Sequence, residues 1–290
     1  MKQIVVISGK GGTGKTVLTA SFAALAKKKV MADCDVDAAD LHLLLHPQIK
    51  ERHEFKGGFK AVIDEEKCTE CGKCVEVCRF SAITDHPITI EPISCEGCGV
   101  CSQICPEGAI RMEENICGEW YISDTKYGPM IHAKLGIAEE NSGKLVTVVR
   151  QNAKSIAEKN NLGLVIVDGP PGIGCPVIAS LSGIDLALIV TEPTLSGIHD
   201  MERVVGVAKH FGVKSACAIN KYDINLEKST EIEKWCRSEG VPVVGKIPYE
   251  PAIIKAVVQT MPPVEYSNNS ASEEIENIWT QLSKELGLKG

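Results

Sequence analysis

The stretch at residues 8–16, SGKGGTGKT, constrains this chain more than any other. It follows the apolar run Ile4-Val5-Val6-Ile7, and from Gly9 to Thr16 it fits the pattern G-x-x-x-x-G-K-[ST]. That pattern needs a buried strand running in and a helix running out. Val17, Leu18, Phe22 and Leu25 supply helical apolar spacing from near Gly14. Glycines let the backbone wrap a phosphate, and successive N–H groups with the helix N-terminus form a positive concavity. Gly9, Gly11, Gly12, Thr13 and Gly14 form the cradle. Lys15 is placed to reach the β- and γ-phosphates, and the Thr16 hydroxyl to hold Mg²⁺. A glycine-rich turn that binds nothing does not account for the whole motif with both flanks.

A phosphate loop of this kind belongs to an α/β fold, a mostly parallel sheet with helices on both faces and the ligand at the strands' C-terminal ends. Apolar runs at 30–32, 164–167, 186–190, 216–219 and 243–247 read as buried strands. Helices are expected at 145–157, 197–211, 227–237 and 273–286, with Asp37 and Asp40 as caps of a short helix at 41–45. A hairpin at 120–122 and 130–133 turns at Tyr127-Gly128-Pro129, and His132, without clustered partners, reads as a strand residue.

Residues 46–58 break into Pro, Gly and charge and read as a linker. Beyond it lie Cys68-x-x-Cys71-x-x-Cys74-x-x-x-Cys78 and Cys95-x-x-Cys98-x-x-Cys101-x-x-x-Cys105-Pro106. Thirteen cysteines, most of them in these runs beside a nucleotide loop, point to metal binding rather than disulfides. The repeat resembles the bacterial two-cluster ferredoxin signature. Three thiolates of a run wrap one 4Fe–4S cube and the fourth ligates the other. The resemblance implies one set of Cys68, Cys71, Cys74 and Cys105, and a second of Cys95, Cys98, Cys101 and Cys78. Zinc is the rival for such spacings, but two complete four-cysteine runs favour the cubes. Arg79 stands where the other run has Pro106. The expected organisation is an ATPase domain at 1–57 and 113–290, interrupted at 58–112 by an α+β ferredoxin insert. That insert carries nine acidic and five basic side chains, which suits a basic redox partner.

Lys10 gives the phosphate loop a second lysine, K-G-G-x-G-K-T. This resembles the deviant Walker A loop of the MinD, ParA, Mrp and nitrogenase iron protein superfamily. The resemblance implies that Lys10 reaches across a dimer to the partner's nucleotide, and that two ATP molecules are sandwiched with slow, partner-stimulated hydrolysis. Asp33-Cys34-Asp35 falls at switch I, where Asp35 polarises water with Asp33 in support. Asp168-Gly169-Pro170-Pro171-Gly172 resembles switch II, with Asp168 holding Mg²⁺ through water and Gly172 following the γ-phosphate. Asn220-Lys221-Tyr222-Asp223 resembles the adenine-binding segment, and Pro248 lies in the loop that closes over the base. Cys175 falls where the nitrogenase iron protein has one of two cysteines that hold a cluster across its dimer. The second is expected near Asn141 to Lys144, where this chain has none, leaving Cys117 as a substitute. The alternative for Cys175 is a small buried apolar residue.

A net charge of −7 supplies no basic excess for nucleic acid. No apolar run reaches the 18 or so residues of a membrane span, and MKQIVVISG is too short in its apolar part for a signal peptide. The last helix carries acids where a membrane-docking helix would be basic. A cytoplasmic protein is expected. Two functions remain open. One is an ATP-dependent iron–sulfur protein coupling a homodimeric or heterodimeric switch to electron transfer, or to cluster delivery to an apo-metalloprotein. The other is a positioning ATPase with a redox-sensing module.

Overall fold

The apolar run before the phosphate loop forms strand β1 (Lys2–Ser8), in which Ile4, Val5, Val6 and Ile7 are wholly buried. The computed structural model describes residues 1–136, 139 and 142–288. After β1 come α1 (Lys15–Leu25), β2 (Lys29–Asp33), α2 (Leu41–Leu45), β3 (Gln48–Ile63), α3 (Lys73–Val77), β4 (Ile83–Thr84) and β5 (Thr89–Ile90). Next are α4 (Val100–Ile104), β6 (Ile110–Thr125), β7 (Gly128–Leu135), α5 (Ser142–Lys159), β8 (Leu164–Pro171), α6 (Cys175–Leu181), β9 (Leu186–Thr191) and α7 (Leu195–His210). The chain closes with β10 (Ser215–Asn220), α8 (Leu226–Ser238), β11 (Val243–Ile247), α9 (Pro251–Val258), α10 (Pro263–Tyr266) and α11 (Ser270–Glu285). These elements form two compact units, one of Met1–Arg52, Trp120–Lys134 and Ser142–Gly290, the other of His53–Glu119 and Leu135–Asn141.

In the first unit the strand order is β11-β10-β9-β1-β8-β2-β7, continued by β6 and β3. From β11 to β7 every neighbour is parallel, with Val5 opposite Val167 and Ile4 opposite Leu186. Parallel strands are covered on both faces and so read as continuous apolar runs. Ile4, Val6, Ile166 and Leu188 share a cluster with Leu18 and Phe22 of α1 and Ile275, Ile278 and Leu282 of α11. Val5 and Ile7 alternate to the opposite face, where α5, α6 and α7 meet β2, β8 and β9. Each fully buried aliphatic side chain of this kind contributes about 2 kcal/mol. The apolar stripe of α11 is therefore spent on the core, and Trp279 closes it with its ring 5.2 Å from that of Phe22. Among the described residues no helix is long and apolar enough to cross a membrane.

Three local expectations need correction. Residues 48–58 of the expected linker are the first part of β3, the last strand in the sheet order. Its charged residues on both faces hide the strand period, as is common where an edge must resist further pairing. The hairpin turns at Lys126-Tyr127, because Thr125 Oγ1 accepts from Tyr127 N at 3.0 Å and donates to Gly128 O at 2.8 Å. Gly128 and Pro129 already belong to β7. Asp40 occupies the N-cap position of α2 but makes no capping bond with its side chain.

In the second unit the sequence repeat is a structural repeat. α3 and α4 each have five residues, each follows a left-handed glycine (Gly72, φ 72°; Gly99, φ 75°), and each ends on the fourth cysteine of its run. Between them β4 and β5 pair antiparallel, with Ile83 opposite Ile90. The core is small and partly made of thiols: Cys74, Cys95 and Cys101 are buried with Ala82, Ile83 and Ile110.

His132 lies buried in β7 with Nε2 2.9 Å from Ser123 Oγ and its ring stacked on Tyr121 at 4.9 Å. Burial pushes its pKa down to about 4 from 6.5. The unfolded chain therefore takes up this proton first as pH falls, and the histidine's stabilising effect is present above about 6.5 and lost toward 4. Between pH 7 and 5 the loss should be on the order of 1–2 kcal/mol. His132→Gln should flatten the pH dependence of denaturant unfolding by that amount; an unchanged slope would show that this imidazole is free to protonate in the folded state.

Candidate nucleotide site and cysteine-lined cavities

β1 delivers the loop, and α1 starts on Gly14, whose φ of 94° is open to glycine at little cost. A side chain there would also meet Asn220 Nδ2 at 2.5 Å. Lys15, the first residue of α1, is buried, and its ammonium is 3.6 Å from Asp35 Oδ2. Thr13 is buried with its hydroxyl unpartnered, Gly11 and Gly12 are exposed, and Gly9 and Thr16 are half-buried.

Facing the loop are the C-terminal ends of β2 and β8, where Asp33 lies opposite Asp168. Both carboxylates are fully buried, and Oδ2 of each has no hydrogen-bond partner. Thr19 Oγ1 donates to Asp168 Oδ1 at 2.9 Å. Burial pushes Asp168 up to about 6, against the pull of Lys15 and of the Thr16 and Thr19 hydroxyls. Burial, then the charges of Asp168 and Asp35, raises Asp33 well above the carboxylate range. Asp35 is raised by burial while Lys15 holds it down. Three acids facing one ammonium leave an excess of negative charge in a dry pocket. A divalent cation would relieve it, and the orphaned Asp168 oxygen with the nearby Thr16 hydroxyl is a donor set that suits Mg²⁺.

The other end of the loop is gripped by side chains that the sequence did not single out for this purpose. Asn220 Nδ2 donates to Thr13 O at 2.8 Å, and its Oδ1 accepts from Lys221 N at 3.0 Å. The residue expected at the base edge thus braces the phosphate loop. Lys10 turns inward on its own chain. Its ammonium pairs with Glu192 at 2.5 Å and donates to Ser196 Oγ at 3.1 Å and Thr194 Oγ1 at 3.3 Å. Glu192 also meets Lys221 at 3.4 Å. Burial raises the Glu192 carboxyl, but Lys10 and then Lys221 more than offset this and hold it below its ordinary value. An acid at a parallel strand's C-terminal end was the signal for Glu192; Thr19 left none. Tyr249 N donates to Asp223 Oδ1 at 2.7 Å, which ties the loop containing half-buried Pro248 to the segment after Asn220. Gly172, φ 91°, follows β8.

In the second unit two cavities are lined by thiols. Cys78, Cys95, Cys98 and Cys101 line one, which opens partly to solvent. Cys68, Cys71, Cys74 and Cys105 line the other. Each takes three cysteines from one run and the fourth from the other. Among the described residues no three His, Cys, Asp or Glu side chains converge as ligands of a single ion would. Cys175 is exposed at the start of α6, not buried, and a Cβ on Gly143 would lie 3.3 Å from its own Cβ. Cys117 is wholly buried with Sγ 3.8 Å from Phe55 O, which removes it as a substitute surface ligand. Asn141 lies outside the described residues.

A parallel sheet with a lysine-bearing loop between β1 and α1, and acids on the facing strand ends, defines a P-loop nucleotide-binding protein. The chain belongs to the CobQ/CobB/MinD/ParA nucleotide binding domain family, whose model matches residues 4–264. It is 38% identical over 230 residues to an uncharacterized protein of Methanocaldococcus jannaschii, spanning 77% of this chain and 79% of that protein. A cytosolic Fe-S cluster assembly factor, nubp2 of Xenopus tropicalis, is 23% identical over 300 residues, 96% of this chain and 91% of that one. In fold the chain is similar to the septum site-determining protein MinD of Pyrococcus horikoshii complexed with Mg-ADP. The TM-score is 0.59 at 17% identity, covering 100% of this chain and 98% of that one.

Gly14→Ala should weaken nucleotide binding at least about tenfold, because strained backbone and the Asn220 contact act together. Asn220→Ala removes the bond to Thr13 O together with the local one from Lys221 N, and losing the brace on the loop should cost about fivefold, the worth of one net hydrogen bond. Titration calorimetry measures both, and unchanged affinity in Asn220→Ala would show that the loop holds its shape unaided.

Proposed function

We propose that this chain is an ATP-hydrolysing iron–sulfur protein. A nucleotide-driven dimer switch in its P-loop unit is coupled to two 4Fe–4S groups in an inserted ferredoxin module at 58–112, with the ATPase domain at 1–57 and 113–290. The output is electron transfer, or cluster or metal delivery to an acceptor, in the cytoplasm. The observation that carries this reading is the pair of cavities, each ringed by four thiols, in a chain that also holds the phosphate loop. Four thiols around a cavity, rather than around a point, suit a polynuclear group better than a lone zinc ion. The relative described as an Fe-S cluster assembly factor supports the same direction.

On the nucleotide side, Lys15 binds the β- and γ-phosphates and Asp35, 3.6 Å from it, orients the attacking water. Mg²⁺, when bound, neutralises phosphate charge; Thr16 and, through water, Asp168 would hold it. Asn220, Lys221 and Pro248 enclose the base end. Lys10 has two stations. In the single chain Glu192 keeps it at home, and in the closed dimer it serves the partner's nucleotide. Exchanging one charged partner for another keeps the ammonium paired throughout, which avoids leaving a half-buried charge uncompensated. Asp33, fully buried, fixes switch I through its 3.2 Å bond from Asp35 N. A 4Fe–4S group, when bound, stores or releases one electron. The family also includes partner-binding dimers, and either an identical or a related subunit would complete this site.

Anaerobically purified protein should carry about eight irons per chain and hydrolyse ATP slowly. Lys10→Ala should keep both iron and bound nucleotide while losing turnover, whereas Lys15→Ala should lose the nucleotide. Full ATPase activity in Lys10→Ala would remove the dimer from the reading, and tightly bound zinc in place of iron would remove the ferredoxin.

A further inference from the structure

The two cysteine quartets are built as a repeat but are not finished alike. At one, two backbone N–H groups donate to sulfur: Glu70 N to Cys68 Sγ at 3.4 Å and Ala109 N to Cys105 Sγ at 3.3 Å. By the repeat, Gly97 would serve Cys95 and Ala82 would serve Cys78. Among the described residues neither of those contacts reaches hydrogen-bond geometry. The N–H groups of Val75 and Ser102, near Cys74 and Cys101, match between the two sites and do not distinguish them.

Both linings are mostly apolar, and they differ at their edges. Thr69, Lys73 and Glu107 stand at the cavity of Cys68, Cys71, Cys74 and Cys105 beside Ile63, Ile88 and Ile110. Val77, Phe80 and Val100 stand at the other, where Glu96 is the only charged lining residue. Phe80 and Val100 remain 46% and 42% exposed, so this mouth presents apolar surface to solvent. Arg79, which replaces the proline of the other run, is exposed and does not line the cavity. The Lys60 ammonium donates to the Cys95 carbonyl at 2.9 Å.

Reduction adds negative charge to a thiolate-ligated group. N–H donors to sulfur and polar, solvated surroundings stabilise that charge and raise the potential, while apolar cover lowers it. We propose that the two sites are redox-inequivalent, with the electron residing at Cys68, Cys71, Cys74 and Cys105, and with Cys78, Cys95, Cys98 and Cys101 forming the low-potential site. This rests on the reading that both quartets carry 4Fe–4S groups. The first electron from a low-potential one-electron reductant such as dithionite ends at the first site and the second electron at the other. No bond forms or breaks, and no proton moves.

The test is an anaerobic dithionite titration of the full chain followed by electron spin resonance, with iron counted in each sample. The parent is compared with Cys71→Ser and Cys98→Ser, which remove the exposed ligand of one quartet each. About eight irons in the parent and about four in each variant establish the loading. The Cys98→Ser protein should then accept its electron at the higher potential. The expected preference is at least tenfold, equal to about 59 mV for a one-electron couple. Equal potentials, or the reverse order, overturn the inference while leaving the iron–sulfur reading intact. A parent without iron overturns both. If a ligand variant fails to fold, Phe80→Ser supplies the second arm: wetting that mouth should raise the lower of the two parental potentials alone, and a shift in the higher one instead would contradict the assignment.

Discussion

A buried lysine faces three buried carboxylates at the ends of β1, β2 and β8, and much of the first unit follows from that arrangement. Lys15 can sit there only because the glycine-rich loop turns the chain back over the strand ends. Asp33, Asp35 and Asp168 can sit there only because the parallel sheet aligns β2 and β8 in register. Without ligand the charges do not balance. Asp33 and Asp168 each keep an unpartnered oxygen, and burial holds their pKa values up. A divalent cation would supply the positive charge this pocket lacks, and a phosphate would give Lys15 a further partner.

The same logic extends to Lys10. A cation 29% exposed at its side chain would be hydrated if left alone, yet it is held by Glu192 and two hydroxyls. Glu192 in turn touches Lys221, next to Asn220, which holds Thr13. The loop is thus clasped from both ends by residues that follow β9 and β10. A nucleotide bound between those strands and the loop would lie beside Lys10 and its partner Glu192. The fold is shared with MinD-like proteins, and the second unit differs from that sheet in its two thiol-lined cavities.

Much of this was legible in the sequence because its signals are local. Continuous apolar runs mark the central strands, and the spacing of Gly14, Lys15 and Thr16 marks the loop. The 2-2-3 cysteine spacing marks the repeat, and the resemblance to two-cluster ferredoxins implied the same grouping of thiols that lines each cavity. What stayed hidden depends on distant pairings. β3 alternates poorly because it is charged on both faces, and only its place at the sheet edge explains that pattern. Asn220 shows a polar residue after a strand, but its grip on Thr13 spans 207 residues of sequence. Glu192 could be noted as a strand-end acid, whereas its choice of Lys10 as partner requires the fold. Cys175 reads in sequence as a free thiol of either kind, and its exposure follows only from the placement of α6.

The central claim is that nucleotide state and iron–sulfur chemistry are coupled within one assembly. The direct measurement is the midpoint potential of the iron–sulfur groups in anaerobically loaded protein, with Mg²⁺ and ATP present or absent, in the parent and in Lys10→Ala. Coupling predicts that ATP shifts the potential in the parent and leaves it unmoved in the variant, which binds nucleotide without closing. Potentials indifferent to ATP in the parent, with nucleotide demonstrably bound, would contradict it.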